Sequence, residues 1–187
     1  MPFFPDGTEA DQHYTEDELA IMNRRFDELV QDIEPVNPDE GQTEETRNEE
    51  IQSLADDIRS EMDSADEEAK AFVEYLHSCE SEDTYFDDIN QESYKFYGFG
   101  AVFRDGRSEY AVLSADEIDD AFKAYARELA DETIVHSMPE DARQYFDYEA
   151  YTSDVEAGDG WGIMSSYDGN YEEITINEKA YYIFRQN

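Results

Sequence analysis

Between Gly41 and Gly98 the chain contains no glycine, and between Pro38 and Pro139 it contains no proline. A stretch so free of backbone breakers must be filled by regular structure, and the spacing of its apolar residues decides which kind. Ile51, Leu54, Ile58, Met62, Ala65, Ala69, Phe72 and Leu76 recur in steps of three and four, the seam of a packed helix. The spacing predicts a helix from about Thr43 to His77, roughly 50 Å long if continuous. Ser64-Ala-Asp-Glu67 has the form of a capping box, so a break at that point also fits the sequence. A turn of about 100° per residue puts Glu45, Glu49, Asp56, Asp63, Glu67 and Glu74 on the face opposite the seam, as an acidic stripe.

Elements on either side follow from local signals. Residues 1–14 read as an irregular arm. Thr15-Glu-Asp-Glu18 is a capping box, and Leu19, Met22, Phe26, Leu29, Val30 and Ile33 continue at helical spacing to Pro35. Pro35 to Gln42 is a linker. Downstream, Tyr94 to Phe103 and Ser108 to Leu113 are rich in aromatic and β-branched residues and flank a turn at Asp105-Gly106, which predicts a hairpin. Ser114-Ala-Asp-Glu117 precedes a third helix with Ile118, Ala121, Phe122, Tyr125, Ala126 and Leu129 inward. A fourth is expected from Pro139 to Gly158, carrying Tyr145, Phe146, Tyr148, Tyr151 and Val155. Trp161 to Tyr167, Tyr171 to Ile176 and Ala180 to Arg185 read as three short strands, with turns at Asp168 to Asn170 and Asn177 to Lys179.

The expected class is α+β, with residues 1–42 as arm, helix and linker, 43–93 as a long acidic helical region, and 94–187 as an α+β domain. Phe122, Tyr125, Tyr145, Phe146 and Tyr148 are assigned to packing, while Tyr151 and Tyr167 are left open between packing and binding.

Charge then bears on purpose. Fifty Asp and Glu face thirteen Lys and Arg, a formal net charge of −37 over 187 residues. Self-repulsion on that scale opposes folding, so the charge is expected to act on a basic partner. Basic grooves mostly grip nucleic-acid phosphates, which makes the chain a candidate occupant of such a groove in place of DNA or RNA, itself binding no nucleic acid. Disorder fits poorly with 39% hydrophobic and 14% aromatic residues. Salt adaptation is the competing explanation, since only Lys70, Lys95, Lys123 and Lys179 are lysines and acids run along the whole chain.

Other chemistries find little support. Cys79 is the single cysteine, which allows no intrachain disulfide and suits a reducing cytoplasm. His13, His77 and His136 are far apart, and His77-Ser-Cys79 lacks the second pair of a zinc site. The acids Glu80, Glu82, Asp83, Asp87 and Asp88 lack the turn glycine and terminal glutamate of a calcium loop. Neither a metal, another cofactor nor a catalytic nucleophile is expected. No apolar run approaches membrane-spanning length, and an anionic bilayer would repel the chain.

One segment is more specific. Ser137-Met-Pro-Glu-Asp-Ala-Arg-Gln-Tyr-Phe-Asp-Tyr-Glu-Ala-Tyr-Thr-Ser-Asp154 resembles the C-terminal segment of ArdA-type antirestriction proteins, in which a proline precedes an aromatic-Asp-Tyr-x-Ala-Tyr-x-x-Asp run. The matching residues are Pro139, Tyr145, Asp147, Tyr148, Ala150, Tyr151 and Asp154. That family consists of elongated acidic DNA mimics, typically dimeric, which phages and mobile elements use against type I restriction-modification enzymes. The resemblance therefore implies a non-enzymatic inhibitor of a host defence protein, a homodimer, and Asp147 and Asp154 as additions to the acidic partner-binding surface. The alternatives are an acidic phage structural or interaction module that binds a basic protein without mimicry, and a salt-adapted domain.

Overall fold

Among the described residues, every α-helix starts with acids. The first turns hold Glu16, Asp17 and Glu18; Glu44 and Glu45; Glu67 and Glu68; Asp119 and Asp120; Glu140 and Asp141; and Glu149. Carboxylates there face unpaired amide groups and the positive end of the helix dipole, each worth about 0.3–1 kcal/mol, which offsets part of the self-repulsion. The computed structural model describes residues 14–33, 43–79, 85–86 and 89–187. The fold is α+β, and the chain divides into two compact units, residues 1–88 and 89–187.

The first unit is helical. Helix α1 (Glu16–Leu29) opens on the expected capping box: the Glu18 amide donates to the Thr15 hydroxyl at 3.3 Å, and the Thr15 amide donates to the Glu18 carboxylate at 2.9 Å. A 3₁₀ turn, Val30–Asp32, follows it. The expected long helix is two, α2 (Glu44–Ser64) and α3 (Glu67–Ser78). Ala65 is extended, and the cap of α3 is Asp66, which accepts from the Ala69 amide at 2.8 Å; Ser64 instead donates its hydroxyl to the Glu61 carbonyl. A short acidic side chain that satisfies the first amides of a new helix competes with continuation of the old one. Leu19, Met22 and Phe26 of α1, Ile58 and Met62 of α2, and Phe72 and Leu76 of α3 are buried, as their periodicity requires.

The second unit is built on a five-stranded antiparallel sheet in the order β1-β2-β3-β5-β4. Its strands are β1 (Asn90–Gln91), β2 (Ala101–Asp105), β3 (Ser108–Ser114), β4 (Glu172–Ile176) and β5 (Lys179–Arg185). The β2–β3 hairpin closes through Gly106 at φ 56, and β4–β5 closes through Asn177 and Glu178, both left-handed, as the tightest hairpin turn demands. Residues 94–100 do not extend β2. They form a separate reversal in which the Phe99 amide donates to the Phe96 carbonyl, with Tyr97 and Gly98 both at positive φ.

Helix α4 (Ile118–Thr133) lays Ile118, Ala121 and Phe122 against Val102, Ala111, Leu113 and Phe184 of the sheet. Glu117 is drawn away from simple capping: its carboxylate accepts from the Ser114 hydroxyl at 2.7 Å and from the Gly100 amide at 3.2 Å. Gly100 must be glycine. Its φ is +54, and an added Cβ would lie 2.1 Å from the Val112 carbonyl oxygen.

Two expectations fail here. The fourth helix is interrupted: α5 (Glu140–Arg143) is one turn, and Asp147 starts α6 (Tyr148–Gly158) by accepting from the Ala150 amide. Tyr145 therefore lies outside both helices and is 81% exposed, so its assignment to packing was incorrect. Trp161 to Tyr167 is no strand but begins as a 3₁₀ turn, Trp161–Met164, where Gly162 approaches the Gly169 carbonyl so closely that a Cβ would sit 2.3 Å from it.

Candidate functional site: the acidic surface

The acids outnumber the bases in both units: residues 1–88 carry 29 acids and 5 bases, and residues 89–187 carry 21 and 8. What matters for a partner is which of these charges are already engaged within the fold.

Most of the bases are. Lys70 is buried against Glu18 and Glu67, Arg24 pairs with Glu74, Arg25 with Glu28, and Arg59 with Asp56. In the second unit Arg104 bridges Glu92 and Glu109, and Lys123 pairs with Asp120. Arg143 donates to the carbonyls of Met138 and His136. Arg127 and Arg185 lie over the rings of Tyr148 and Tyr167. Lys70 thus works in the interior, whereas Arg104, Lys123, Arg127 and Arg143 make their contacts at the surface, and the outward field is negative because exposed carboxylates outnumber exposed cations.

The predicted site residues distribute accordingly. Glu45, Glu49, Asp56 and Asp63 are all exposed on α2. At 1.5 Å per residue, Glu45 and Asp63 are about 27 Å apart along the axis and fall on one face. Asp56 also accepts from Gln52 and Arg59, and Asp63 accepts from the Tyr14 hydroxyl. Glu67 and Glu74 belong to α3, and both are half-buried ion-pair partners within the first unit. Asp147 and Asp154 lie on the second unit, Asp147 as the cap of α6 and Asp154 exposed along it. The structure places the four α2 acids on one helix face, and Asp56, Asp63, Glu67, Glu74 and Asp147 each have a local partner.

Sequence reasoning left out a second set of acids. Asp119, Asp120, Glu128, Asp131 and Glu132 are exposed along α4. The inward spacing of Ile118, Phe122 and Ala126 carried the signal that would have found them. The backbone adds to the same field, because α1, α2, α4 and α6 end without a basic residue in the last turn to neutralise the negative end of the dipole.

The electrostatics of the interior differ from those of the surface. Burial alone would raise the Glu18 carboxyl, but hydrogen bonds from Lys70 and from the amide and hydroxyl of Thr15 outweigh it and hold the group below its ordinary value. Burial likewise opposes the charge of Lys70, and Glu18 and Glu67 raise its pKa nonetheless. Among the described residues no group of three or more His, Cys, Asp or Glu side chains is placed to hold a metal ion. Nor, among them, is any helix long and apolar enough to cross a membrane.

A family model described as "Antirestriction protein (ArdA)" matches residues 15–173, far beyond the 137–154 segment in which the resemblance is visible by eye. No curated protein and no solved structure matches the chain.

Proposed function

The chain belongs to the ArdA antirestriction protein family, and on that premise we propose that it is a non-enzymatic inhibitor which imitates DNA in the binding groove of a type I restriction-modification enzyme. The observation that carries this reading is the imbalance of charge at the surface: on both α2 and α4 the exposed acids outnumber the bases of the same helix, and most of the chain's bases already contact acids, carbonyls or rings of their own unit. Duplex DNA presents about one phosphate charge per 1.7 Å of axis. Acids at steps of four and seven on a helix stand roughly 6 and 10 Å apart, so each acidic helical surface, taken by itself, approximates the backbone charge sparsely but on a regular support. Since its target acts on DNA inside the cell, the proposed place of action is the host cytoplasm.

The test is a competition. With a purified type I restriction enzyme and labelled duplex, increasing amounts of this protein should displace the DNA, and the displacement should weaken as salt rises. A supershifted band holding enzyme, DNA and inhibitor together would overturn the mimic reading and favour an acidic interaction module.

A further inference from the structure

Tyr97 occupies a left-handed backbone position, at φ 50, where asparagine or glycine would sit without strain. Its ring is not buried in return, for 37% of the residue is exposed. The ring stands edge-on to Phe96 at 4.7 Å and to Tyr125 of α4 at 5.4 Å, which fixes its direction.

Acids flank this aromatic pair. Tyr125, Glu128 and Glu132 fall on one side of α4 by helical spacing, and Lys123 and Arg127 on the other. Burial and the nearby carboxylates of Glu128 and Glu132 raise the Tyr97 hydroxyl above its ordinary pKa. Burial, Asp159 and Glu132 act in the same direction on Tyr125. Lys123 and Arg127 are occupied by Asp120 and by the Tyr148 ring.

We infer that the Tyr97–Tyr125 pair, with Glu128 and Glu132 beside it, is a docking point for an arginine-bearing segment of the basic partner. A guanidinium is planar and weakly hydrated; it can lie against an aromatic ring while its donors reach carboxylates, which a compact ammonium does less well. The fold already uses this chemistry internally, with Arg185 3.8 Å from the centre of the Tyr167 ring and Arg127 4.7 Å from that of Tyr148. Dispersed acids supply attraction at a distance, whereas a rigid aromatic anchor supplies residence. This inference rests on the proposed function for the partner's basic character.

Octa-arginine and octa-lysine peptides titrated calorimetrically into the full chain at about 0.15 M salt provide the test. The wild type should prefer arginine by about two- to fivefold, the range expected of an exposed cation–π contact. Tyr97→Asn, which suits the backbone and removes the ring, should abolish the preference while octa-lysine binds as before. Tyr145→Ala should keep it. If Tyr97→Asn retains the preference, or loses it no more than Tyr145→Ala, the docking point is wrong. Glu128→Gln/Glu132→Gln tests the flanking acids without touching the turn, and should weaken octa-arginine more than Glu172→Gln/Glu173→Gln on β4 does; equal weakening also overturns the inference. The DNA displacement experiment is read separately. Displacement with an unchanged arginine preference in Tyr97→Asn sinks the docking point alone, and a lost preference without displacement sinks only the mimic reading.

Discussion

The Lys70 ammonium of α3 donates to the Glu18 carboxylate of α1 at 2.6 Å, and both residues are buried. In a chain whose acids mostly face water, this pair is an exception that ties the two helices together. Replacing Glu18 leaves the Lys70 ammonium with only the Glu67 carboxylate, at 3.3 Å, and this weaker pairing of a buried charge costs about 1–3 kcal/mol.

Glu18→Gln should therefore destabilise the protein by roughly that amount at pH 7, measured by urea unfolding. The Glu18 pKa is lowered in the folded state, so its contribution is present above the unfolded value of about 4.3 and is lost as pH falls through the folded value. The Lys70 pKa is raised, so its contribution is present below about 10.4 and is lost as pH rises through the folded value. The gap between wild type and Glu18→Gln should accordingly narrow at pH 3, and a penalty that persists there undiminished would rule out the ion pair as its source.

Gly100→Ala should cost at least about 3 kcal/mol, because it combines a strained φ with a methyl group forced against the Val112 carbonyl. Gly106 has nothing within 4 Å of its would-be Cβ, so Gly106→Asn should stay within about 1 kcal/mol of wild type. Thermal melts of the two variants make the comparison, and equal losses would contradict the packing at Gly100.

Phe122 is 2% exposed, and Phe122→Ala should cost about 3–5 kcal/mol. Phe146 is half-buried and meets Tyr148 and Tyr151 at 4.9 and 5.9 Å, so Phe146→Ala should cost less, about 1–2 kcal/mol. Denaturant midpoints at constant slope would establish the order.

Neutralising Glu45, Glu49, Asp56 and Asp63 to Gln or Asn should weaken binding to the restriction enzyme and leave the melting temperature equal or higher, because self-repulsion falls. Far-ultraviolet circular dichroism should show the wild type folded at about 10 mM salt, where the Debye length is about 30 Å. Unfolding in dilute buffer would instead mark the acids as an adaptation to salt.

Sequence was most informative where structure is local. The Thr15/Glu18 capping box and the seam from Ile51 to Leu76 depend on residues a few positions apart, and both were legible. The break at Ala65 and Asp66 was legible as a site, although the capping residue is Asp66 rather than Ser64. The split between α5 and α6 was hidden because Tyr145, Tyr148, Tyr151 and Val155 run at helical spacing across Asp147, whose preference for caps over helix interiors was the available signal. Trp161–Met164 resembles a strand in composition but has no ladder to join. Engagement of the bases was least accessible of all: Lys70 and Glu18 are 52 residues apart, and Arg24 and Glu74 are 50.

The close approaches of Gly100 to the Val112 carbonyl and of Gly162 to the Gly169 carbonyl set different evolutionary tempos within one chain. At those two positions no side chain fits, so descent can keep only glycine. An acid on the outer face of α2 can move by a turn, or exchange Asp for Glu, with little change in the field a partner meets. Lineages of such a protein can therefore drift apart over most of their surface while the same few glycines and buried rings persist, leaving kinship to be read from scattered packing residues rather than from the surface charges.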